Sequence, residues 1–403
     1  MAISCRPWRG RIGWARQPEM RVALVDPSLF TLPYDSALAA GLKAAGHDVV
    51  LFGRRPGRDD NAADGIRLEH SFYRVATTPA VMALPKPLRL GVKGLDHIVS
   101  MAAFGRRITQ WRPDVIHFQW LALPLLDRRF LPRLRRIAPL VLTVHDSNPF
   151  NGNPAAFVQK LGINASLAYF DRIIVHTEQG RARLAQQGID HARVMVMPHG
   201  LLGASDAKAE AKDTIQGRLT FLLFGKLKPY KGADLLIEAF SRLPEELRRK
   251  ASVRIVGKPY MDLGPLDALA ERLGIGTEVA IEPRFVGDDQ VASLFAPDVV
   301  ATFPYREIEA SGVLSLAIAY GRPILATRLG GFAEQIEDNV HGATVPPDDP
   351  AALSAAMARF VADRAFTADC ARNVRRLAAR VPGWDAIARS TAAVYEAAGT
   401  ARR

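Results

Sequence analysis

The residues of this chain best suited to chemistry lie in three stretches. GKLKPYKG, Gly225 to Gly232, follows the apolar run Leu219 to Phe224 and leads into a helical pattern from Ala233 to Phe240. Three ammonium groups, Lys226, Lys228 and Lys231, framed by two glycines ahead of a helix, suit a diphosphate leaving group; a solvated basic turn is the plainer alternative. The second stretch, Phe303 to Glu334, reads as strand end, loop, helix, glycine cap, buried strand and glycine-rich turn. Ser311 is placed to cap a helix, Gly321 to end it and Pro323 to open the strand Ile324 to Thr327. The free N–H groups of such a helix start, at Gly312 and Val313, can hold phosphate without a cationic side chain, while Glu309 just ahead can accept hydrogen bonds from sugar hydroxyls. A capped core helix with one solvated acid is the competing reading. The third stretch is TVHD, Thr143 to Asp146, which sets His145 at the end of the strand Val141 to Val144. For His117, His176 and His199, also at or near strand ends, a structural role is expected.

The elements that must position these residues alternate strand and helix. Val22 to Val25, closed by Asp26 and Pro27, is a first strand; Asp35 is placed to cap a helix through Ala45, and Asp48 to Phe52 returns as a strand, an opening βαβ unit. A helical stretch around Leu95 to Trp111 and strands at Asp114 to Phe118, Arg172 to Val175 and Val194 to Met197 complete the first half. No G-x-G-x-x-G follows the first strand, so this half is not a dinucleotide domain of the usual sort. In the second half, strands at Leu219 to Phe224, Val253 to Val256, Val279 to Ile281, Val299 to Phe303 and Ile324 to Thr327 alternate with helices. Asp349 caps a helix reaching Val361, and Trp384 to Ala397 forms the last one. The expected fold class is α/β, with two Rossmann-like doubly wound domains facing a cleft. Residues 1–19 read as an extension expected to be disordered, with Met20 as the first residue of the fold. Residues 20–200 form one domain, 201–217 a linker, 218–380 the second domain, and 381–403 a terminal helix.

On these residues the chain resembles the retaining glycosyltransferases of GT-B fold, family 4 (glycosyl transferases group 1), whose donor motif is E-x7-E. The resemblance extends weakly from Met20 to about Tyr395 and is strong from Leu219 onward. Glu309 matches the first glutamate; the second would stand at Ala317, which leaves the ribose contact without its usual carboxylate. The resemblance implies a nucleotide diphosphate sugar donor held by Gly225, Lys226, Lys231, Gly257, Lys258, Glu309, Ser311, Gly312 and Val313. Lys231 matches the family's lysine, Lys226 stands where arginine is usual, and Lys258 borders the base. It further implies His145, Glu309 and Lys231 as the catalytic set, with His145 facing the donor sugar. Tyr34, Trp120 and His145 are the candidate acceptor contacts. The acceptor domain is the first, the donor domain the second, and the last helix crosses back onto the first. No D-x-D pair demands a metal, and no cofactor is expected beyond the co-substrate. Two alternatives stay open: a nucleotide-sugar-binding protein without turnover, suggested by Ala317 and Lys226, and a sugar-nucleotide epimerase on the same fold.

Charge bears on the acceptor. The chain has 403 residues and a formal net charge of +12. All the excess falls before residue 201, where 27 Lys and Arg face 15 Asp and Glu. Residues 86 to 136 alone carry eleven basic and three acidic side chains, interleaved with Phe104, Trp111, Trp120 and Phe130. Such a surface suits an anionic membrane leaflet or a phosphate-bearing acceptor, with Phe130 to Leu140 as the expected membrane-facing helix, or is simply a soluble basic face. No helix-turn-helix, zinc spacing or RNA-binding signature supports nucleic acid. Two distant cysteines, Cys5 and Cys370, fit a reducing compartment. No apolar run approaches the roughly 18 residues of a spanning helix, and no secretory leader is evident. The expectation is a cytoplasmic protein, peripheral on the inner face of the membrane, acting on a lipid-linked or saccharide acceptor in surface polysaccharide or glycolipid synthesis.

Overall fold

The computed structural model describes residues 19–57, 60, 65–145, 162–203, 217–308 and 310–402. Their strands form two sheets in which every pairing is parallel. The first contains β1 (Arg21–Asp26), β2 (Asp48–Arg54), β3 (Arg67–Phe72), β4 (Val115–Phe118), β5 (Leu140–Val144), β6 (Arg172–Val175) and β7 (Val194–Val196), in the order 3-2-1-4-5-6-7. The second contains β8 (Leu219–Phe224), β9 (Ala251–Val256), β10 (Val279–Glu282), β11 (Val299–Phe303), β12 (Ile324–Thr327) and β13 (Gly342–Val345), in the order 10-9-8-11-12-13. Helices cover both faces, so the central strands are buried along their whole length: all five residues of β11 and all four of β4 are buried. Two doubly wound, Rossmann-like sheets are therefore present, as the alternating pattern predicts.

Strand order reverses between β1 and β4 in one sheet and between β8 and β11 in the other. Loops leaving the carboxyl ends of strands diverge at such a reversal and open a crevice there. The loops after β1, β4, β8 and β11 carry Phe30, Trp120, Lys226 and Ser311 respectively.

The last helix, Trp384–Thr400, lies against the first sheet and not the second. Ile387, Ala388, Ala392 and Tyr395 share a buried cluster with Val22, Leu24, Leu38 and Leu42. Gly41 lets the two helices touch: a Cβ there would lie 2.7 Å from the Trp384 carbonyl oxygen. Burying one such aliphatic side chain is worth about 1.5–3 kcal/mol.

Several elements depart from expectation. Asp35 caps nothing: the helix is Leu32–Ala44, its N-cap is Thr31, and Asp35 is buried in its first turn. The helix at Leu131–Ile137 turns Leu131 and Leu134 into the core and ties Arg135 to Asp171 at 2.7 Å, so its apolar groups do not face a membrane. The edge strand β3, RLEHSF, buries only Phe72 and has too little alternation to stand out. In β13, Gly342 is held at φ +153 with its would-be Cβ 1.7 Å from the Ile324 carbonyl oxygen, a position only glycine fills. The helix Arg364–Ala378, capped by Asp363 through the Phe366 N–H, also escapes the sequence pattern. The extension before residue 19 and most of the linker lie outside the described residues.

Candidate functional site

The donor loop and the helix start meet. Ser311 caps the helix Gly312–Ala319, its hydroxyl accepting from the Leu314 N–H at 3.3 Å. Gly225 faces that start: a Cβ on it would lie 3.1 Å from the Val313 methyl and 2.9 Å from the Lys231 Nζ, at φ +108. Glycine is needed because any side chain would fill the space between ammonium and helix. Gly257 is packed as closely, its would-be Cβ 1.7 Å from the Gly225 carbonyl oxygen at φ +155. The Lys258 carbonyl accepts from the Leu227 N–H at 2.9 Å, which fastens the donor loop to the strand end beside it. Thus Gly225, Lys231, Gly257 and the residues around Val313 are brought together. Glu309 lies outside the described residues.

Two lysines here are poorly solvated. Lys231 is 5% exposed, donates to the Phe224 carbonyl at 3.0 Å and lies 5.1 Å over the Tyr305 ring. Burial, then Lys226 and Lys228, push its ammonium down to about 7. Lys226 is pushed down to about 8 by burial and then Lys228, against the opposing pull of Asp26 and Asp60. Burial is the larger cause of both shifts and the neighbouring ammonium groups add to it; a diphosphate bound between them would supply the missing counter-charge. Ala317, by contrast, is fully buried among Leu314, Ile318 and Phe295. It faces the core of the second sheet, so the helix offers no ribose contact there.

The two sheets touch across the crevice. Lys226 Nζ sits 3.9 Å over the Phe30 ring, which stacks on Trp120 at 5.1 Å. Phe30 is carried by a loop that the buried Asp26 shapes, its carboxylate accepting from the Ser28 and Thr31 N–H groups at 3.1 and 2.9 Å. Glu334, from the second sheet's side, accepts from the Glu178 and Gln179 N–H groups at 3.0 and 2.9 Å, so it caps the first-sheet helix Glu178–Gln186. The connecting chain is anchored on the donor helix: Ser315 donates to the Gly200 carbonyl at 2.8 Å and accepts from the Leu202 N–H at 3.0 Å. Trp384 donates to the Leu201 carbonyl at 2.8 Å.

His145 ends a chain of fixed histidines. His176 Nδ1 lies 3.0 Å from the Met197 carbonyl and must donate to it, so its Nε2 accepts from His145 Nδ1 at 3.0 Å. His145 Nε2 lies 3.2 Å from Gln119 Oε1, so the lone pair this leaves on Nε2 calls for the Gln119 amide to be turned over, with its NH2 toward the ring. His199 closes the group, 5.1 Å from the His176 ring. Burial pushes all three imidazoles down, His176 to about 3, so each is neutral at pH 7. His117 is structural as expected, bonded to Tyr395 at 2.7 Å and Thr143 at 2.8 Å beneath the sheet. Tyr34, expected to meet an acceptor, is 2% exposed; its ring packs on His145, His176, His199 and Trp384 and supports the histidines instead. Trp120 remains half-buried at the crevice.

Sequence reasoning missed Phe30, Gln119, His176 as the partner of His145, and Glu334 as a cross-sheet cap. Each acts through a neighbour far along the chain. Only Asp26, an acid at the end of an otherwise apolar strand, left a signal.

Models for glycosyl transferases group 1 and for a glycosyl transferase 4-like domain match residues 205–377 and 33–200. A D-inositol 3-phosphate glycosyltransferase of Streptomyces avermitilis is 32% identical over 266 residues, 62% of this chain and 56% of that protein. Its counterpart in Kineococcus radiotolerans is 27% identical, with 91% of this chain and 89% of that protein covered. The match to the first relative thus spans little more than half of its length. Among solved structures, Anabaena HepE in complex with UDP and glucose superposes with a TM-score of 0.70 at 18% identity, over 94% of this chain and 100% of that one. Sucrose-phosphate synthase from Thermosynechococcus elongatus gives 0.73 at 20% identity, over 94% and 98%. At these identities the likeness is one of fold.

Proposed function

The chain belongs to the group 1, family 4 glycosyltransferases of GT-B fold, and from that premise we propose that it moves a sugar from a nucleoside diphosphate sugar to an acceptor held at a membrane. The observation that carries the proposal is the convergence of Lys231 and the free helix start at Gly312 and Val313 on the space that Gly225 leaves open. When the bond between the anomeric carbon and the β-phosphate oxygen breaks, its electron pair stays on the diphosphate. That growing charge meets fixed N–H dipoles and the Lys231 and Lys226 ammonium groups, a stabilisation worth about 3–4 kcal/mol for one such donor. The acceptor hydroxyl attacks from the face the diphosphate leaves and passes its proton to the departing phosphate, which keeps the configuration. Glu309 orients the donor sugar, with Lys258 beside the base. His145 lies toward the sugar from the first sheet, and its neutral imidazole puts no positive charge next to the cationic sugar ring of the transition state. The reading asks for no organic cofactor.

The first-half charge favours a lipid-linked acceptor on the cytoplasmic face, in surface polysaccharide or glycolipid synthesis. A phosphorylated polyol is the second reading, favoured by the names of the relatives above. UDP-sugars are the first donors to try, since HepE was solved with UDP and glucose. The test supplies UDP-, GDP- and ADP-sugars with either a bacterial lipid extract or D-inositol 3-phosphate, and follows nucleotide release and the anomeric configuration of the product. Transfer with retention that Lys231→Met abolishes supports the proposal. Nucleotide binding without any transfer points to a protein without turnover, interconverted donor sugar to an epimerase, and either result overturns it.

A further inference from the structure

The helix Lys86–Trp111 carries two apolar stripes. Met101, Phe104 and Ile108 are fully buried against the first sheet. Leu88, Val92, Leu95 and Val99 recur at intervals of four, three and four residues, which places them along the opposite side of the helix. There Leu88 is 60% exposed, Leu95 65% and Val99 58%. Of the thirteen large apolar side chains exposed on the described residues, seven lie between Val75 and Val99. Single exposed apolar residues need no explanation, but a contiguous stripe does.

The charges beside it have one sign. Arg89 borders the stripe beside Val92, Arg106 continues its line past Val99 and Lys86 opens the helix; among the described residues none of the three is in a salt bridge, whereas Arg107 is held by Glu69 at 2.6 Å. The helix has a single carboxylate, Asp96, which is turned inward and accepts from the Val75 and Ala76 N–H groups at 2.9 and 2.7 Å. An apolar stripe bordered by cations without anions matches the layering of an anionic headgroup region over acyl chains. The other basic helix, Leu131–Ile137, lacks this pattern because its leucines are buried.

We propose that this outer face of the Lys86–Trp111 helix docks the protein on an anionic phospholipid bilayer, with Leu88, Leu95 and Val99 entering the headgroup boundary. The inner side of the same helix meets the crevice wall: Lys93 Nζ lies 5.0 Å over the buried Tyr73 ring, and Arg54 donates to the Ser28 carbonyl at 3.0 Å in the loop that carries Phe30. Docking therefore holds one wall of the crevice to the lipid surface. The inference rests on the membrane-held acceptor only for its purpose, and its test needs no turnover.

The test is co-sedimentation of the full chain with vesicles of phosphatidylcholine alone or of phosphatidylcholine and phosphatidylglycerol in equal parts. Binding is expected to the anionic vesicles, weakening as salt rises. Lys86→Gln/Arg89→Gln/Arg106→Gln is expected to weaken it on the order of a hundredfold, from the usual contribution of a lysine or arginine near an anionic surface. Leu88→Ser/Leu95→Ser/Val99→Ser is expected to abolish it, with an unchanged melting midpoint because these side chains are exposed, while Arg133→Gln/Arg136→Gln keeps it. The proposal is overturned if the protein stays in the supernatant, binds neutral vesicles equally well, or binds undiminished in both triple variants. A concentration-dependent dimer that the serine variant dissolves would overturn it in favour of a second copy as occupant. Vesicle binding without transfer to lipid would leave this surface standing and remove the lipid-linked acceptor.

Discussion

Binding of a nucleoside diphosphate is expected to take up about one proton near pH 7.5. The Lys231 ammonium is held at about 7 and that of Lys226 at about 8. About three quarters of the first and about a quarter of the second are therefore unprotonated at that pH, and a diphosphate restores both to the charged form. Because the bound state holds more protons, affinity must fall as pH rises, by about tenfold between pH 7 and pH 8 and more steeply above. Titration calorimetry with UDP, in two buffers of different ionisation heat, reads the proton count directly. In Lys231→Met the uptake is expected to drop to about a quarter of a proton. The same variant is expected to fold at least as stably, since a lysine whose folded-state value lies below its unfolded one destabilises the empty protein progressively as pH falls from about 10 to 7. Binding with no proton uptake, or affinity that rises with pH, would show that the lysines do not meet the diphosphate.

Ala317→Glu places an unpaired carboxylate in the core and is expected to cost about 3–5 kcal/mol, lowering the melting midpoint with no gain in UDP affinity; a tighter complex at unchanged midpoint would return position 317 to the ribose. Gly257→Ala drives a methyl into the Gly225 carbonyl, so UDP binding is expected to disappear along with part of the stability, and a fully active variant would refute the packing of the donor loop. Glu334→Ala removes an acceptor from two helix N–H groups across the crevice, worth about 1 kcal/mol where it is exposed; solution scattering of the empty protein is expected to show a larger radius of gyration, and an identical profile would mean that Glu334 does not hold the halves together.

What could be read from the sequence follows from how local each signal is. The strands β6, β8, β11 and β12 match their expected spans because each is a short apolar run between turn residues, and Ser311 caps its helix because the cap is set by neighbours three residues apart. The meeting of Gly225, Lys231 and Val313 needed the resemblance as well, since nothing in the chain's own spacing says that the loop after β8 faces the helix after β11. Long-range partnerships stayed hidden. Asp35 looked like a cap because acids favour helix starts, but its burial beside Asp26 overrides that preference. The expectations for Tyr34 and Ala317 rest on position along the chain, whereas their exposure depends on the Trp384–Thr400 helix and on the apolar cluster around Phe295, both remote in sequence. The basic helix at Leu131–Ile137 and the outer stripe of Lys86–Trp111 have similar compositions; only packing separates buried leucines from exposed ones.

The most direct test of the donor site is amide hydrogen exchange with and without UDP. In the empty protein the N–H groups of Gly312 and Val313 have no partner within their helix and are expected to exchange freely. The account predicts that UDP slows exchange at Ser311 to Leu314 and at Gly225 to Gly232, with little change at the face of the first sheet remote from the crevice. Protection that spares both segments while UDP is demonstrably bound would place the diphosphate elsewhere and contradict the account.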